Sequence, residues 1–174
     1  MKKRIFSFIM LTAFAVVCAT SFTACGGDDD DVIGGEISNL TVGTHRIDVS
    51  FEGETAGWKS SITFTGTSYP ITTEGSSLYE NGEKLNTVGG TWTENNFRSY
   101  SISTDSKSQN LLVMVVIRKN MHATVQPVTV NLRSYVNGKQ KKMKSIIVDG
   151  SHGAKTITFY SEITDGDQEI DTDY

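Results

Sequence analysis

Three residues with the side chains of a serine hydrolase stand together late in the chain, namely Asp149, Ser151 and His152. In such enzymes a base removes the serine proton and an acidic group orients that base. The three groups come from separate segments, however, because neighbours on a single turn cannot line up for proton transfer. The chain also lacks the Gly-x-Ser-x-Gly motif of a nucleophile elbow. We therefore predict an ordinary turn here, no catalytic residues and no enzyme activity.

Five acidic residues occupy alternate positions at the C-terminal end, which could indicate a cation site: Asp165, Asp167, Glu169, Asp171 and Asp173. Alternating oxygen ligands open the calcium loop of an EF-hand, but that loop requires glycine at its sixth position. Ile170 stands at that position. We therefore expect residues 165–174 to form an acidic, solvated tail that binds no metal.

The histidines and cysteines offer no clustered ligand set for a metal. His45, His122 and His152 lie far apart in sequence, and the only two cysteines are Cys18 and Cys25. Zinc sites gather such residues at short, regular spacings. We predict no metal and no cofactor, and we expect all three histidines to be exposed in loops.

One basic patch is carried by Arg133 together with Lys139, Lys141, Lys142 and Lys144. Such a patch could bind an anionic glycan or an acidic partner. Lysines along an exposed strand also prevent edge-to-edge association of sheets. We favour this second interpretation.

Aromatic residues outside the predicted core are the best candidates for ligand binding. Trp92 is expected in a loop segment rich in glycine, threonine and asparagine and is followed by Glu94 and the amides at 95–96. Tyr135 and Tyr160 take the polar positions of their strands. Flat rings stack on the faces of sugars, and neighbouring amides and carboxylates bind the hydroxyl groups. Trp92, Tyr135 and Tyr160 are therefore the predicted ligand-binding residues.

The elements that carry these residues are predicted to be strands. Ile47, Val49 and Phe51 alternate with polar residues, as expected for a strand with one buried face. The same alternation recurs around Trp58, Ile62, Phe64, Tyr100, Ile102, Val128, Val130, Leu132, Val136, Ile157 and Phe159. Residues 111–117 are continuously apolar, which is typical of a central strand covered on both faces. A buried helix is the alternative that periodicity alone leaves open.

Turn residues separate these strands at short intervals. Asn137-Gly138 and Asn81-Gly82 are hairpin signals, because both central residues of a type I′ turn need a positive φ. Seven to nine strands with such turns predict an all-β, antiparallel β-sandwich of immunoglobulin-like or transthyretin-like shape. The alternative is a lipocalin-like closed β-barrel, since Gly90-Thr91-Trp92 resembles the Gly-x-Trp motif of lipocalins.

The N-terminal residues have the layout of a cleaved export signal. Residues 2–4 are basic, and residues 5–17 form an apolar run shorter than the roughly 20 residues of a membrane-spanning helix. Residues 22–25, Phe-Thr-Ala-Cys, resemble the lipobox of bacterial lipoproteins. This resemblance implies cleavage after Ala24 and attachment of lipid to Cys25, which would anchor the chain in the outer membrane.

The residues after Cys25 suggest on which side of the outer membrane the chain is displayed. The acidic run 28–31 resembles the export signal of surface lipoproteins from Bacteroidetes, which implies exposure at the cell surface, with a periplasm-facing location as the alternative. The predicted organisation is a leader at 1–24, a lipidated acidic tether at 25–40, one β-sandwich domain at 41–164 and the acidic tail at 165–174.

The overall charge argues against one class of partner. The chain has 16 basic and 20 acidic residues, and the predicted leader removes three of the basic ones. An acidic domain gains nothing from the phosphates of nucleic acids. We expect a binding module for a glycan or a protein, or alternatively a structural or assembly subunit of an envelope or fimbria-like complex that accepts a strand along an exposed edge at 127–136.

Overall fold

The computed structural model describes residues 40–163 and 165–173. The predicted leader, Cys25 and the acidic run at 28–31 lie outside the described residues. The described part contains strands β1 (His45–Gly53), β2 (Trp58–Ser68), β3 (Leu78–Glu80), β4 (Glu83–Lys84), β5 (Thr91–Glu94), β6 (Tyr100–Thr104), β7 (Ser108–Lys119), β8 (Val128–Val136), β9 (Lys139–Val148), β10 (Ala154–Tyr160) and β11 (Gln168–Thr172). None of these residues forms a helix long and apolar enough to cross a bilayer.

The strands form two antiparallel sheets that face each other. One sheet has six strands in the order β4-β3-β6-β1-β8-β9, and the other has five in the order β11-β10-β7-β2-β5. Each sheet keeps two edge strands, so the sheets do not close into a barrel. The predicted β-sandwich is confirmed and the lipocalin-like alternative is wrong. The Gly-Thr-Trp segment that suggested it leads into β5, which is an edge strand.

The core lies between the two sheets. It consists of the residues that the alternation of apolar and polar side chains predicts to be buried. Ile47 and Val49 of β1 are buried, as are Ile62 and Phe64 of β2. Strand β7 is central in its sheet, and four residues of its apolar run are fully buried: Leu111, Val113, Val115 and Ile117. Its opposite face is less covered than expected, because Leu112 and Met114 remain half-exposed.

The hairpin turns have the geometry that their sequences predict. Asn137 and Gly138 have φ values of 49° and 77°, and Asn81 and Gly82 have 52° and 85°. Both residues of each pair therefore take the left-handed conformation of a type I′ turn. These turns fix the pairing of β8 with β9 and of β3 with β4.

The acidic C-terminal stretch is not a free tail, as the sequence had suggested. It forms β11, which pairs with β10 along its length and extends the domain past residue 164. Its carboxylates meet lysines of neighbouring strands: Lys142–Asp167 at 2.9 Å, Lys144–Glu169 at 2.8 Å and Lys155–Asp171 at 3.1 Å. Two lysines of the basic patch thus pair with carboxylates of this stretch, Lys142 with Asp167 just before β11 and Lys144 with Glu169 in β11.

The strand predicted to offer an open edge is an internal one. Strand β8 lies between β1 and β9 and is hydrogen-bonded to both. Residues 127–136 therefore present no free ladder to a partner, and this expectation was wrong. Alternation marks the buried face of a strand but carries no information on its place within the sheet. The lysine-rich β9 is the edge strand instead.

Candidate functional site

Trp92 lies in β5, not in a loop as expected, and its ring belongs to the core. It stands opposite Phe64 in the β2–β5 ladder, so both side chains project to the same side of the sheet. Its ring centroid lies 6.1 Å from that of Phe64 and 5.9 Å from that of Tyr100. We therefore assign Trp92 no part in the candidate site.

Tyr160 lies on the outer face of the five-stranded sheet, where the β10–β11 connection covers it. A Cβ atom at Gly166 would come within 2.7 Å of Cε2 of Tyr160, so this glycine allows the chain to pass directly over the ring. The Tyr160 backbone amide donates to Asp167 in the same connection. The ring is therefore less accessible than its strand position suggests.

Tyr135 is the predicted ligand residue with an open, polar setting. It lies in β8 on the outer face of the six-stranded sheet, and the guanidinium carbon of Arg46 is 3.9 Å from its ring centroid. The structure does not bring the three predicted residues together. Trp92 faces the core, and Tyr135 and Tyr160 lie on opposite outer faces.

Tyr135 belongs to a row of side chains that crosses four strands. Tyr79 of β3 pairs with Ser103 of β6, Ser103 pairs with Arg46 of β1, and Arg46 pairs with Tyr135. Their neighbours Leu78, Ile102, Ile47 and Val136 are buried, so these four side chains project outward. With about 4.8 Å between strands, the two tyrosines lie roughly 14 Å apart. We call this set the tyrosine row.

Polar groups next to the tyrosine row form an ordered network on the same face. The Asp48 carboxylate accepts a 2.7 Å hydrogen bond from Ser101 Oγ and lies 3.2 Å from Arg46 Nε. Arg133 stands opposite Asp48 in the ladder and is exposed. Farther along the strands, Asn131 Nδ2 donates to Glu52 Oε1 at 2.8 Å. The face therefore combines two aromatic rings with oriented carboxylate, guanidinium and amide groups.

Sequence reasoning missed most of this face. Tyr79 and Arg46 each occupy the polar position beside a buried residue, and that signal was present in the sequence. Their assembly was not predictable, because it depends on the order β3-β6-β1-β8, which joins strands that are distant along the chain. No group of three or more histidine, cysteine or acidic side chains suited to a metal occurs among the described residues.

His45 is fully buried, contrary to the expectation of an exposed loop histidine. Its Nδ1 lies 2.8 Å from Ser161 Oγ and its Nε2 lies 2.9 Å from the Thr41 carbonyl oxygen. The residue begins β1 in the inward position, two residues before Ile47. Burial therefore comes with a hydrogen-bond partner for each ring nitrogen. His122 and His152 are exposed, as predicted.

The pH dependence of stability should reveal the burial of His45. Burial lowers the pKa of His45 below 6.5, although Thr41 and Glu162 partly oppose the shift. As the pH falls below 6.5, the His45 ring therefore binds a proton in the unfolded chain but not in the folded chain. Stability contributed by the neutral ring is complete above pH 6.5 and is lost as the pH falls through the folded pKa. We expect urea unfolding to show a slope of up to about 1.4 kcal/mol per pH unit below pH 6.5.

Two variants test whether His45 causes this dependence of stability on pH. The hydrogen bond to Asp173 raises the pKa of the exposed His152, so His152 acts in the opposite sense and favours folding at lower pH. His152→Gln should leave the slope equal or steeper, whereas His45→Gln should flatten it. An unchanged slope in His45→Gln would show that other groups cause it.

The Asp149, Ser151 and His152 segment forms a turn, as predicted. Ser151 donates from both its amide and its hydroxyl to Asp149 Oδ1, at 2.9 and 2.7 Å. His152 Nδ1 instead lies 2.8 Å from Asp173 of the C-terminal segment. The serine and the histidine thus have separate carboxylate partners, and no nucleophile–base pair forms between them. They line a small polar depression of about 150 Å³.

Comparisons with known proteins identify the fold. No family model matches the chain, and no curated protein matches it. A DUF4425 family protein from Bacteroides ovatus ATCC 8483 superimposes with a TM-score of 0.59 at 19% identity, over 71% of this chain and 99% of that one. A DUF4425 domain from Bacteroides vulgatus ATCC 8482 gives 0.58 at 17%, over 70% and 97%. The chain shares their fold.

A third similar structure is the calcium-bound form of a protein from Parabacteroides distasonis. It has a TM-score of 0.53 and 16% identity, over 83% of this chain and 100% of that one. At such low identities the likeness concerns the fold alone, because one sandwich fold hosts many unrelated functions. The DUF4425 structures are described as domains of unknown function, so function must be argued from this chain's own residues.

Proposed function

We propose that this chain is a lipid-anchored, non-catalytic binding module of the bacterial envelope and that its ligand is a glycan. The observation that carries the proposal is the tyrosine row on the outer face of the six-stranded sheet. The strand positions of its two tyrosines are about 14 Å apart, and Arg46 lies between them and stacks on Tyr135. This spacing suits an extended chain ligand.

The chemistry of the face favours a carbohydrate over an apolar ligand. Tyrosine rings offer flat apolar surfaces, and the adjacent Asp48, Arg133 and Asn131 offer the donors and acceptors that hydroxyl groups need. Small-molecule sites are usually deep and mostly apolar. An open sheet face with ordered polar groups is better suited to a polymer that runs across the strands.

The proposed location rests on the N-terminal sequence. The resemblance of residues 22–25 to a lipobox supports a lipid on Cys25 and attachment to the outer membrane, and the acidic run 28–31 supports display at the cell surface. Two proteins with this fold come from Bacteroides, a genus of the Bacteroidetes, in which such acidic export signals occur. A periplasm-facing anchor is the alternative.

The proposal predicts that the two tyrosines of the row matter for binding and that Tyr160, on the other sheet, does not. We expect Tyr135→Ala to weaken retention on the bound polysaccharide by about tenfold, because it removes a stacking contact of roughly 1–2 kcal/mol. Tyr79→Ala should act in the same direction. The measurement is affinity electrophoresis of the purified domain through a panel of host and dietary polysaccharides.

Tyr160→Ala is the matched control, since it removes the same side chain from the outer face of the other sheet. It should leave retention unchanged. Equal losses in Tyr135→Ala and Tyr160→Ala would place the site elsewhere. If the folded domain is retained by no polysaccharide, the glycan proposal is wrong, and a protein ligand or an assembly role takes its place.

A further inference from the structure

Exposed apolar side chains are concentrated at one end of the sandwich. We call it the entry end: β1 and β7 begin there and β2 ends there, where Gly43 forms a bridge with Ser108. Among the described residues, eight large hydrophobic side chains are exposed, and four of them belong to this end: Val42 (44%), Tyr69 (54%), Ile71 (53%) and Val88 (86%). The other four are scattered over one distal loop and two edge strands.

Local hydrogen bonds hold these side chains in place. The Tyr69 amide donates to the Lys107 carbonyl at 2.6 Å, which fixes the loop after β2 to the turn before β7. Ser68 Oγ donates to the Pro70 carbonyl and accepts from the Thr72 amide, which closes the loop around Tyr69 and Ile71. Their exposure is therefore a feature of an ordered loop.

Val88 lies beside this loop, and backbone hydrogen bonds hold it in place as well. It forms a tight turn with Thr91 through two backbone hydrogen bonds of 3.1 and 3.0 Å. The same turn is joined to β2 by the bond from the Gly66 amide to the Gly90 carbonyl. Four apolar side chains, 44–86% exposed, thus project from one end of the domain on backbone that is held by hydrogen bonds.

Exposed lysines accompany the apolar side chains. Lys107 and Lys139 are both exposed at the entry end. Of the acidic groups there, Asp105 accepts from the amides of Ser77 and Lys107, and Glu162 is paired with Lys141. Glu74 is exposed. Tyrosine, aliphatic residues and lysine together are the combination that favours the boundary between lipid headgroups and acyl chains.

We propose that the entry end docks on an anionic lipid surface and thereby orients the domain on the membrane. This inference rests on the proposed lipid anchor at Cys25. The described chain begins with Leu40 at this end, and only residues 26–39 separate Leu40 from Cys25. Those fourteen residues span at most about 50 Å. The anchor therefore holds this end, more than any other surface, within reach of the bilayer, and tethering favours a weak contact.

Hydrogen exchange on vesicles tests the docking. The chain from Cys25 onward is coupled through the Cys25 thiol to a maleimide lipid in vesicles made of equal parts phosphatidylethanolamine and phosphatidylglycerol. We expect amides of residues 71–74 to exchange about tenfold more slowly on vesicles than in solution. Amides of residues 121–124, at the opposite end, should exchange at the same rate in both.

Two matched variants decide whether the apolar side chains cause the protection. The combined substitutions Val42→Ser, Tyr69→Ser, Ile71→Ser and Val88→Ser should abolish it. The combined substitutions Met121→Ser, Met143→Ser, Ile147→Ser and Ile170→Ser, at the other four described residues with exposed large apolar side chains, should leave it intact. Docking is refuted if residues 71–74 gain no protection, if both ends are protected alike, or if the first variant keeps its protection.

Coupling Cys25 to a maleimide lipid makes the docking test independent of whether Cys25 is acylated in cells. A maleimide lipid supplies the attachment whether or not cells acylate Cys25. Acylation itself is read from vesicle flotation of the protein made in its bacterial host, with Cys25→Ala as the control. Failure of flotation counts against the anchor, whereas failure of protection on coupled vesicles counts against docking.

Discussion

Replacing Phe64 by alanine should lower the free energy of unfolding by about 3–5 kcal/mol, the usual cost of removing a buried aromatic ring. Phe64 is fully buried in the middle of β2, and its ring lies 6.1 Å from both Trp92 and Tyr100. These neighbours come from β5 and β6, which belong to different sheets. A cavity at Phe64 therefore loosens the packing between the sheets, and the surrounding backbone ladders prevent it from collapsing.

Thr63→Ala provides the control, because Thr63 precedes Phe64 and projects from the outer face of the same strand. Its hydroxyl bonds to Thr93 on the surface, so we expect a change of less than about 1 kcal/mol. Urea unfolding monitored by tryptophan fluorescence measures both variants. A Phe64→Ala protein as stable as Thr63→Ala would contradict the assignment of this ring to the centre of the core.

The fold could be predicted because its determinants are local. Alternation identified the inward residues of β1 and β2, such as Ile47 and Phe64, and the asparagine–glycine pairs located two hairpins. These features depend on the two-residue period of a strand and on backbone sterics. Each of them acts over a few residues, so the sequence displays it directly.

The errors in prediction concern contacts between distant segments. The acidic tail becomes β11 because Lys142 and Lys144 of β9 supply its counter-charges, some 25 residues earlier in the chain. Trp92 joins the core because Phe64 lies opposite it. Neither contact can be recognised from the local sequence of the acidic stretch or of the segment around Trp92. The candidate site depended on strand order in the same way. Of its residues only Tyr135 was a predicted ligand residue, and Arg133 had been named as part of the basic patch.

The two proposals for this chain are geometrically compatible. If the entry end contacts the membrane, the strands stand upright on it, and the tyrosine row, which crosses the strands, runs parallel to the membrane. Arg46 is the second residue of β1, so the row lies near the entry end. A glycan that follows the row would therefore lie along the membrane surface, and the distal loops would face away from it.

Ser161→Ala should destabilise the domain by about 2–4 kcal/mol, although it removes a single oxygen atom. Ser161 is fully buried just after β10, and its hydroxyl oxygen lies within 2.8 Å of His45 Nδ1 and of Asn110 Oδ1. It also accepts a 3.0 Å hydrogen bond from the Leu111 amide. At least two buried polar groups therefore lose a hydrogen-bond partner at once.

Ser106→Ala is the matched control, since Ser106 is exposed in the β6–β7 turn and should tolerate the change within about 0.5 kcal/mol. Urea unfolding above pH 6.5 compares the two variants while His45 is neutral. A Ser161→Ala protein that matches Ser106→Ala would mean that the buried groups find other partners. A large loss would establish that the hydroxyl joins β1, β7 and β10 at the entry end, beside Thr41, where the preceding chain enters the domain.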